Sequence, residues 1–384
     1  MTPAPHTCDL AIVGGGLAGG LLAYALSVRR PELAVRLIEP DARFGGNHVW
    51  SFFHADIDPA DRWIVEPFVD HDWPGYEVRF PAHRRMFDTG YSSIRSENFD
   101  AKLHELLPKT VPLDGRAVDL STTRVTLDSQ AVVLAGGVID ARGASAGDML
   151  DVGWQKFVGQ ELRLFAPHGL TAPIIMDASV PQHDGFRFVY VLPFAPDRLF
   201  IEDTYYSDGR DVDRAALSAR IADYAAAQGW QVAEVLSEEQ GALPVAMGGD
   251  FEGYWASGGD AGKIGMRAGM FQAATGYSLP LAVRTAAKIV AMPDLSGETL
   301  ARELHIMAAH EWTTGRFYRL LNRMAFKAAE PDERFRIYQR FYRLRSTLIE
   351  RFYAGRSTRF DKFRILAGKP PVPIGRALKV LQET

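Results

Sequence analysis

The stretch Asp9-Leu10-Ala11-Ile12-Val13-Gly14-Gly15-Gly16-Leu17-Ala18-Gly19, with Glu39 a further 20 residues on, decides the fold. Four apolar residues in a row, Leu10 to Val13, predict a short strand buried on both faces. Leu17 to Arg29 predicts a helix, and Ala34 to Glu39 predicts a second strand stopped by Pro40. The glycines between strand and helix fall as Gly-x-Gly-x-x-Gly. Gly14 permits a tight turn, Gly16 lets the backbone approach a pyrophosphate at the positive end of the helix, and Gly19 lets helix and strand pack closely. A carboxylate at Glu39 can accept hydrogen bonds from ribose hydroxyls and would repel a 2′-phosphate. Strand, turn, helix and acid in this order predict a nucleotide-binding βαβ unit; the bland alternative is a glycine-rich helix contact.

Outward from this unit, composition sets limits. The 384 residues suffice for one large or two medium domains. A net charge of -4 makes no case for nucleic-acid binding. Cys8 is the one cysteine, so no internal disulfide is possible. Leu10 to Val28 carries no charge, but its glycine spacing and the βαβ pattern explain it better than a membrane span does. Charge is uneven: Glu311 to Thr384 holds 17 Lys and Arg against 7 Asp and Glu, while the rest holds 26 against 40. The basic segment also carries 12 aromatic residues. Such a surface suits an anionic membrane, or equally a helical subdomain with its aromatics inside.

Along the chain, Phe44 to Arg85 is rich in aromatics, His, Pro and Gly with weak periodicity, and is expected as loops over a site. Asn98 to Leu107 is expected as a helix, and Val111 to Asp140 as a β meander ending in the strand Val132 to Asp140. Strands are expected at Glu161–Phe165, Arg187–Leu192 and Leu199–Glu202, and a helix at Ala215 to Gln228. Ile264 to Ala291 reads as strand, glycine-rich turn and helix. From Ser296 to about Tyr353 the pattern is helical, and Lys369-Pro370-Pro371-Val372-Pro373 breaks it before a last short helix.

Two later segments are similar to the remaining parts of the large FAD-dependent family built like aromatic hydroxylases. Val138-Ile139-Asp140-Ala141-Arg142-Gly143 resembles the motif on the strand that returns to the nucleotide domain. Gly265-Met266-Arg267-Ala268-Gly269, followed by Thr275-Gly276-Tyr277-Ser278, resembles the motif where a helix N-terminus faces the flavin ring. Most of that family has Asp where Arg267 stands. The implied fold is α/β, a Rossmann-type FAD-binding domain with a β-sheet substrate domain and a helical C-terminal region. The expected division is 1–60, 95–150 and 260–300 for FAD, 61–94 and 151–259 for substrate, and 301–384 for the helical region with possible membrane contact. Gly45, Gly46, Asp140, Gly143, Arg267, Gly269 and Gly276 join Gly14, Gly16, Gly19 and Glu39 as expected cofactor-binding residues.

A narrower resemblance rests on more specific motifs. Gly45-Gly46-Asn47-His48-Val49-Trp50-Ser51-Phe52, His71-Asp72-Trp73-Pro74-Gly75-Tyr76, Phe157-Val158-Gly159-Gln160-Glu161, Ala172-Pro173-Ile174-Ile175-Met176-Asp177, Phe186-Arg187-Phe188-Val189-Tyr190, Ile201-Glu202-Asp203-Thr204, Thr275-Gly276-Tyr277-Ser278-Leu279-Pro280 and Arg351-Phe352-Tyr353-Ala354-Gly355 resemble bacterial lycopene β-cyclases nearly end to end. One departure is Phe271-Gln272-Ala273-Ala274, where that family commonly has His-Pro-Thr. The resemblance implies an isomerase that closes a ring at each end of lycopene, giving γ-carotene and then β-carotene. It also implies FAD in its reduced form, with NAD(P)H as reductant, and no net electron transfer. Because lycopene dissolves in membranes, the implied location is cytoplasmic, peripherally attached to the inner membrane through the basic, aromatic tail.

Protonating an alkene requires a positioned acid held away from water, and the resulting cation needs π faces and negative charge nearby. Glu202 ends the apolar run Leu199-Phe200-Ile201, so desolvation can raise its pKa, and it matches the family's essential carboxylate. Asp203 is the second candidate or an orienting partner; a solvated strand-end pair is the competing reading of both. Trp50, Trp73, Tyr76, Phe186, Tyr190 and Tyr277 are candidate walls for the polyene, although any one of them alone reads more simply as core. His48 and His71 are candidate polar site residues. His305 and His310, five apart, do not share a helix face, and no metal is expected. The rival readings are a flavin-dependent hydroxylase or prenyl or carotenoid reductase of the same fold, and a flavin-bound carotenoid carrier.

Overall fold

In a computed structural model that describes residues 6–144, 149–183, 185–368 and 375–376, the apolar run from Leu10 to Val13 forms the centre of the first sheet. Strand β1 (His6–Val13) pairs in parallel with β2 (Val35–Glu39) on one side and β11 (Val132–Asp140) on the other. Leu10, Ala11, Ile12 and Val13 are all at most 2% exposed, which explains why the run does not alternate: both faces are covered. The order runs β8 (Pro112–Asp114), β2, β1, β11, β10 (Arg124–Leu127), β9 (Ala117–Leu120), with β17 (Gly262–Lys263) paired to the end of β11. Helix α1 (Leu17–Arg29) makes the crossover from β1 to β2. Leu21, Leu22 and Leu26 on it are fully buried in one core with Phe99 of α2 (Ser96–Leu106).

A second seven-stranded sheet has the order β16 (Val232–Gly249), β12 (Leu150–Leu164), β15 (Arg198–Ser207), β14 (Phe186–Ala195), β13 (Ile174–Asp177), β5 (Tyr76–Phe80), β6 (His83–Phe87). Around the middle of its long strands, successive side chains go to opposite faces. Val158, Val189, Val191 and Ile201 pack on Leu217 and Ile221 of α3 (Arg214–Ala227), forming a core of their own. The residues between them look the other way, towards the first sheet. A three-stranded sheet of β3 (Val49–Phe53), β7 (Tyr91–Arg95) and β4 (His71–Trp73) lies alongside.

The segment 44–85 is therefore not the set of loops its composition suggested, for it contains β3 to β6. Two of them take partners far away in sequence, β3 with β7 and β5 with β13, while β5 and β6 also form a local hairpin; strands of three to five residues leave too short an alternation to read. The expected substrate segment 61–94 divides in the same way, β5 and β6 joining the large sheet while β4 and β7 pair with β3. The strands expected at Glu161–Phe165, Arg187–Leu192 and Leu199–Glu202 fall in or at the end of longer ones, β12, β14 and β15, and that at Val132–Asp140 matches β11, whereas none begins at Ile264: β17 ends at Lys263 and a helical turn follows at Gly265–Ala268.

The polypeptide then forms α4 (Phe251–Ala256), α5 (Leu279–Val290), α6 (Gly297–Thr314), α7 (Arg316–Arg323), a π-helical turn at Met324–Ala328, α8 (Phe335–Phe341), α9 (Ser346–Tyr353) and α10 (Arg359–Leu366). Phe326, Tyr342, Phe352 and Tyr353 join Phe186 and Tyr206 of the large sheet in a common aromatic core. The proline-rich break at Lys369–Pro373 lies outside the described residues, as does most of the short helix expected after it. No helix among the described residues is long and apolar enough to cross a membrane.

Candidate active site

Between the first sheet and the inner face of the large one lies a cavity of about 680 Å³, inside the range of roughly 300–1,000 Å³ usual for small-molecule sites. One arm of it is the glycine-rich turn. Gly14 has φ +108°, and a Cβ there would lie 2.8 Å from the Arg142 nitrogen. A Cβ on Gly19 would lie 1.9 Å from the Gly14 carbonyl oxygen, so Gly19 is a packing residue behind the cavity. Gly16, the N-cap of α1, has nothing within 4 Å of where a Cβ would stand, and no side chain caps the helix. The first-turn N–H groups thus face open space, the arrangement that receives an anion. Glu39 lines the same arm and accepts from the Gly15 N–H at 2.6 Å. Gly45, Gly46, Arg142, Gly143 and Gly276 also line the cavity.

Besides Gly19, three expected cofactor residues do not reach it. Asp140, 0% exposed, accepts from Arg142 Nε at 2.9 Å and lies 3.1 Å from Arg267 Nε. Asp140 and Arg267 therefore hold the second and third motifs together and are turned into the protein. Gly269 closes the short helical turn Gly265–Ala268 with φ +68°.

The other arm is walled by the large sheet. Tyr190 and Leu192 of β14, Phe200 and Glu202 of β15, Phe157 of β12, and Glu239 and Leu243 of β16 all line it. They are the alternate residues of neighbouring strands, so one face of the sheet supplies the whole wall. Burial pushes the Glu202 carboxyl from its ordinary 4.5 up to about 7, opposed by the Thr204 hydroxyl, which donates to it at 2.5 Å, and reinforced by the charge of Asp203. A group titrating near neutrality is suited to general acid work.

Asp203, being the next residue along the strand, must point to the opposite face. There its carboxylate, 0% exposed, receives Arg187 Nη2 at 2.5 Å and Nε at 2.9 Å. This corrects the expectation of a second catalytic candidate: Asp203 is an ion-pair partner behind the sheet. The expected aromatic walls divide similarly. Trp50, Tyr190 and Tyr277 line the cavity. Trp73, Tyr76 and Phe186 do not; Tyr76 stacks on Phe87 at 4.8 Å, Phe186 on Tyr338 at 4.0 Å, and Trp73 beside His71 at 5.7 Å. These are core contacts. His71 is committed to Asp70 and the Phe194 carbonyl, whereas His48 lines the cavity.

A cavity-lining acid that sequence reasoning passed over is Glu239. The run Ser237-Glu238-Glu239-Gln240 carries two adjacent acids in the middle of β16. Glu238 does point outwards, receiving Gln160 Nε2 at 2.6 Å, while Glu239 points in and is 5% exposed. It accepts from the Val49 N–H at 3.0 Å. Burial and the charge of Glu202 push its carboxyl well above the ordinary range.

Tyr190 and Tyr277 close the far end. The Tyr277 hydroxyl lies 3.3 Å from that of Tyr190 and 3.4 Å from that of Tyr91, and burial keeps Tyr190 and Tyr277 neutral. Beyond them is a second, smaller apolar cavity of about 130 Å³, which shares these two tyrosines and is walled by Tyr206, Tyr338, Phe352 and Leu366. It leads among the C-terminal helices to α10, where Phe360 and Phe363 are 70% and 67% exposed. Among the described residues no cluster of His, Cys, Asp and Glu has the makings of a metal site.

Comparison with known proteins agrees with this arrangement. The sequence model of the lycopene cyclase protein family matches residues 9–379. The lycopene beta-cyclase of Pseudescherichia vulneris is 47% identical over 369 residues, 96% of each chain, and that of Pantoea ananas is 45% identical over 99% of each. Among solved structures, a flavin-dependent halogenase from Xanthomonas campestris aligns with a TM-score of 0.59 at 11% identity, over 99% of this chain and 94% of the other. A geranylgeranyl bacteriochlorophyll reductase-like protein from Thermoplasma acidophilum aligns with a TM-score of 0.57 at 14% identity, over 99% and 100%. At that identity the structural likeness speaks for the flavoprotein fold alone. With sequence relatives matched from end to end, the chain belongs to the lycopene cyclase family.

Proposed function

We propose that this protein is a lycopene β-cyclase, an isomerase that closes β-ionone rings on lycopene to give γ-carotene and then β-carotene, with FAD in the glycine-rich arm of its cavity. The observation that carries this is Glu202: a carboxyl withdrawn from bulk water, on the wall of a cavity whose other arm is a dinucleotide cradle. The cradle fits FAD. The open space at Gly16 and the uncapped start of α1 suit a pyrophosphate, Glu39 suits a ribose, and the start of α5 lies at the cavity through Ser278 and Leu279.

Glu202, protonated, delivers its proton to the terminal double bond of the polyene. The neighbouring π faces of Phe200, Tyr190 and Tyr277 attract the cation that results, and their neutral state leaves no phenolate to trap it. The apolar wall keeps water from adding to it. Reduced FAD, when bound, supplies an electron-rich ring system beside the cation and ends as it began; NAD(P)H is the proposed reductant. The second cavity would hold the distal part of the chain. The exposed phenylalanines of α10, among basic residues, are the proposed contact with the membrane that dissolves the substrate, so the protein would sit peripherally on the cytoplasmic side of the inner membrane.

The test is anaerobic incubation with lycopene and reduced FAD, with product followed by chromatography and mass. A cyclase leaves the mass unchanged. Product heavier by oxygen or hydrogen would mean a hydroxylase or a prenyl or carotenoid reductase instead. Glu202→Gln is expected to keep flavin and abolish ring closure; near-normal β-carotene formation by it would remove the acid assignment.

A further inference from the structure

Strand pairing places Glu202 and Glu239 opposite the same residue. On β12, Gly159 is matched with Glu202 of β15 on one side and with Glu239 of β16 on the other. Residues directly opposite in a ladder share a face, so the two carboxyls flank one position that has no side chain. Their backbones are two strand spacings apart, roughly 10 Å. Into the space over Gly159 leans the ring of Phe200; a Cβ on Gly159 would lie 2.3 Å from its Cζ. Two acids thus stand on either side of an aromatic ring, at the cavity wall.

Resting on the cyclase reading, we infer that Glu239 is the base of the reaction, taking the proton that leaves the ring after Glu202 has delivered one to the chain end. The step balances without electrons entering or leaving. The Glu202 O–H bond breaks and a C–H bond forms at the terminal alkene carbon. The π pair of a second double bond forms the ring C–C bond. A C–H bond beside the final cation then breaks, its electron pair becomes the ring double bond, and its proton passes to the Glu239 carboxylate. His48, half exposed with Nδ1 3.9 Å from Glu239, lies between that carboxyl and solvent, to which the proton returns.

The working state is the pair with one proton, Glu202 neutral and Glu239 charged. Burial raises both carboxyls and the charge of Glu202 raises Glu239 further, so near neutrality the pair holds one proton that rests more often on Glu239, and the working form is the less populated one with that proton on Glu202. The other charged or titratable groups around the pair are Asp203, Tyr91 and Tyr206 near Glu202, and His48, Arg95, Glu97 and Glu161 near Glu239. Arg95 is already paired with Asp70 at 2.7 Å and lies 3.6 Å from Glu161.

Flavin-loaded wild type, Glu239→Gln and Glu239→Asp are compared for turnover of lycopene between pH 5 and 9, with ring isomers separated by chromatography. Wild type is expected to show a bell-shaped profile. Glu239→Gln should retain flavin, lose about 10²–10⁴-fold in turnover and lose the acid limb. Its residual product should carry displaced ring double bonds, because other C–H bonds beside the cation give up the proton. Glu239→Asp, whose carboxyl is shorter, should recover part of the rate with mixed isomers. A Glu239→Gln enzyme that keeps the acid limb and makes only β rings overturns the inference. If that variant loses flavin, an unchanged rate and product in Glu239→Asp does so instead. A wild type that forms no rings refutes the cyclase reading, which is a separate outcome.

Discussion

Replacing Glu202 by Gln should make the protein more stable as well as inactive, and the gain should depend on pH with a sign the structure fixes. Glu202 ionises in the unfolded chain at an ordinary 4.5 and in the folded protein at about 7. Below pH 4.5 both states hold the proton, and the carboxyl costs nothing extra. Between the two values only the folded state keeps it, so stability falls as pH rises. Above pH 7 the folded protein carries a desolvated charge at a cost, converted at ~1.4 kcal/mol per tenfold, of about 3 kcal/mol. Gln carries no such cost, and it also relieves the repulsion on Glu239, which adds in the same direction. Urea unfolding of the flavin-loaded wild type and Glu202→Gln, at fixed FAD and salt, checks this at pH 5 and pH 9. The variant should gain a few kcal/mol on wild type between the two. An equal difference at both pH values would refute the claim that Glu202 is held in a desolvating site.

Two further outcomes separate the structural residues from the reacting ones. Asp203→Asn leaves Arg187 buried without its counter-charge and should cost about 3–5 kcal/mol of stability, while folded, flavin-bound variant turns over lycopene normally; unfolding midpoints and turnover per bound flavin distinguish this from a catalytic loss. Exchanging Phe360 and Phe363 for Ser should weaken sedimentation with anionic phospholipid vesicles about a hundredfold or more, at ~1.5–3 kcal/mol for each buried ring, without changing turnover of detergent-dispersed substrate; unchanged sedimentation would count against α10 as the contact.

Much of this was legible in the chain itself, for identifiable reasons. The βαβ opening was readable because a doubly buried strand, a glycine turn and a helix each leave local signals, and β1, α1 and β2 fell within a few residues of expectation. The desolvation of Glu202 was readable because it ends an apolar strand. The choice between Glu202 and Asp203 was not, since a strand end gives no sign of which face will be covered until its neighbours are known. Glu239 escaped for the same reason in reverse: adjacent acids look solvated, and only pairing across Gly159 turns one of them inwards. In segment 44–85, β3 takes its partner from residues 91–95 and β5 one of its partners from residues 174–177, distances over which local composition carries no information.

The two tyrosines between the cavities set a rule for traffic. A symmetrical forty-carbon chain seated past Tyr190 and Tyr277 brings a single terminus to Glu202, while its other terminus remains among the C-terminal helices. Two rings then need two visits. Between them the half-finished molecule must back out and reverse, and with the proposed membrane contact at α10 the bilayer would be where it turns round. The ratio of one-ringed to two-ringed product is then governed by how often the turned molecule is recaptured, and so by how crowded the bilayer is with enzyme and with fresh substrate.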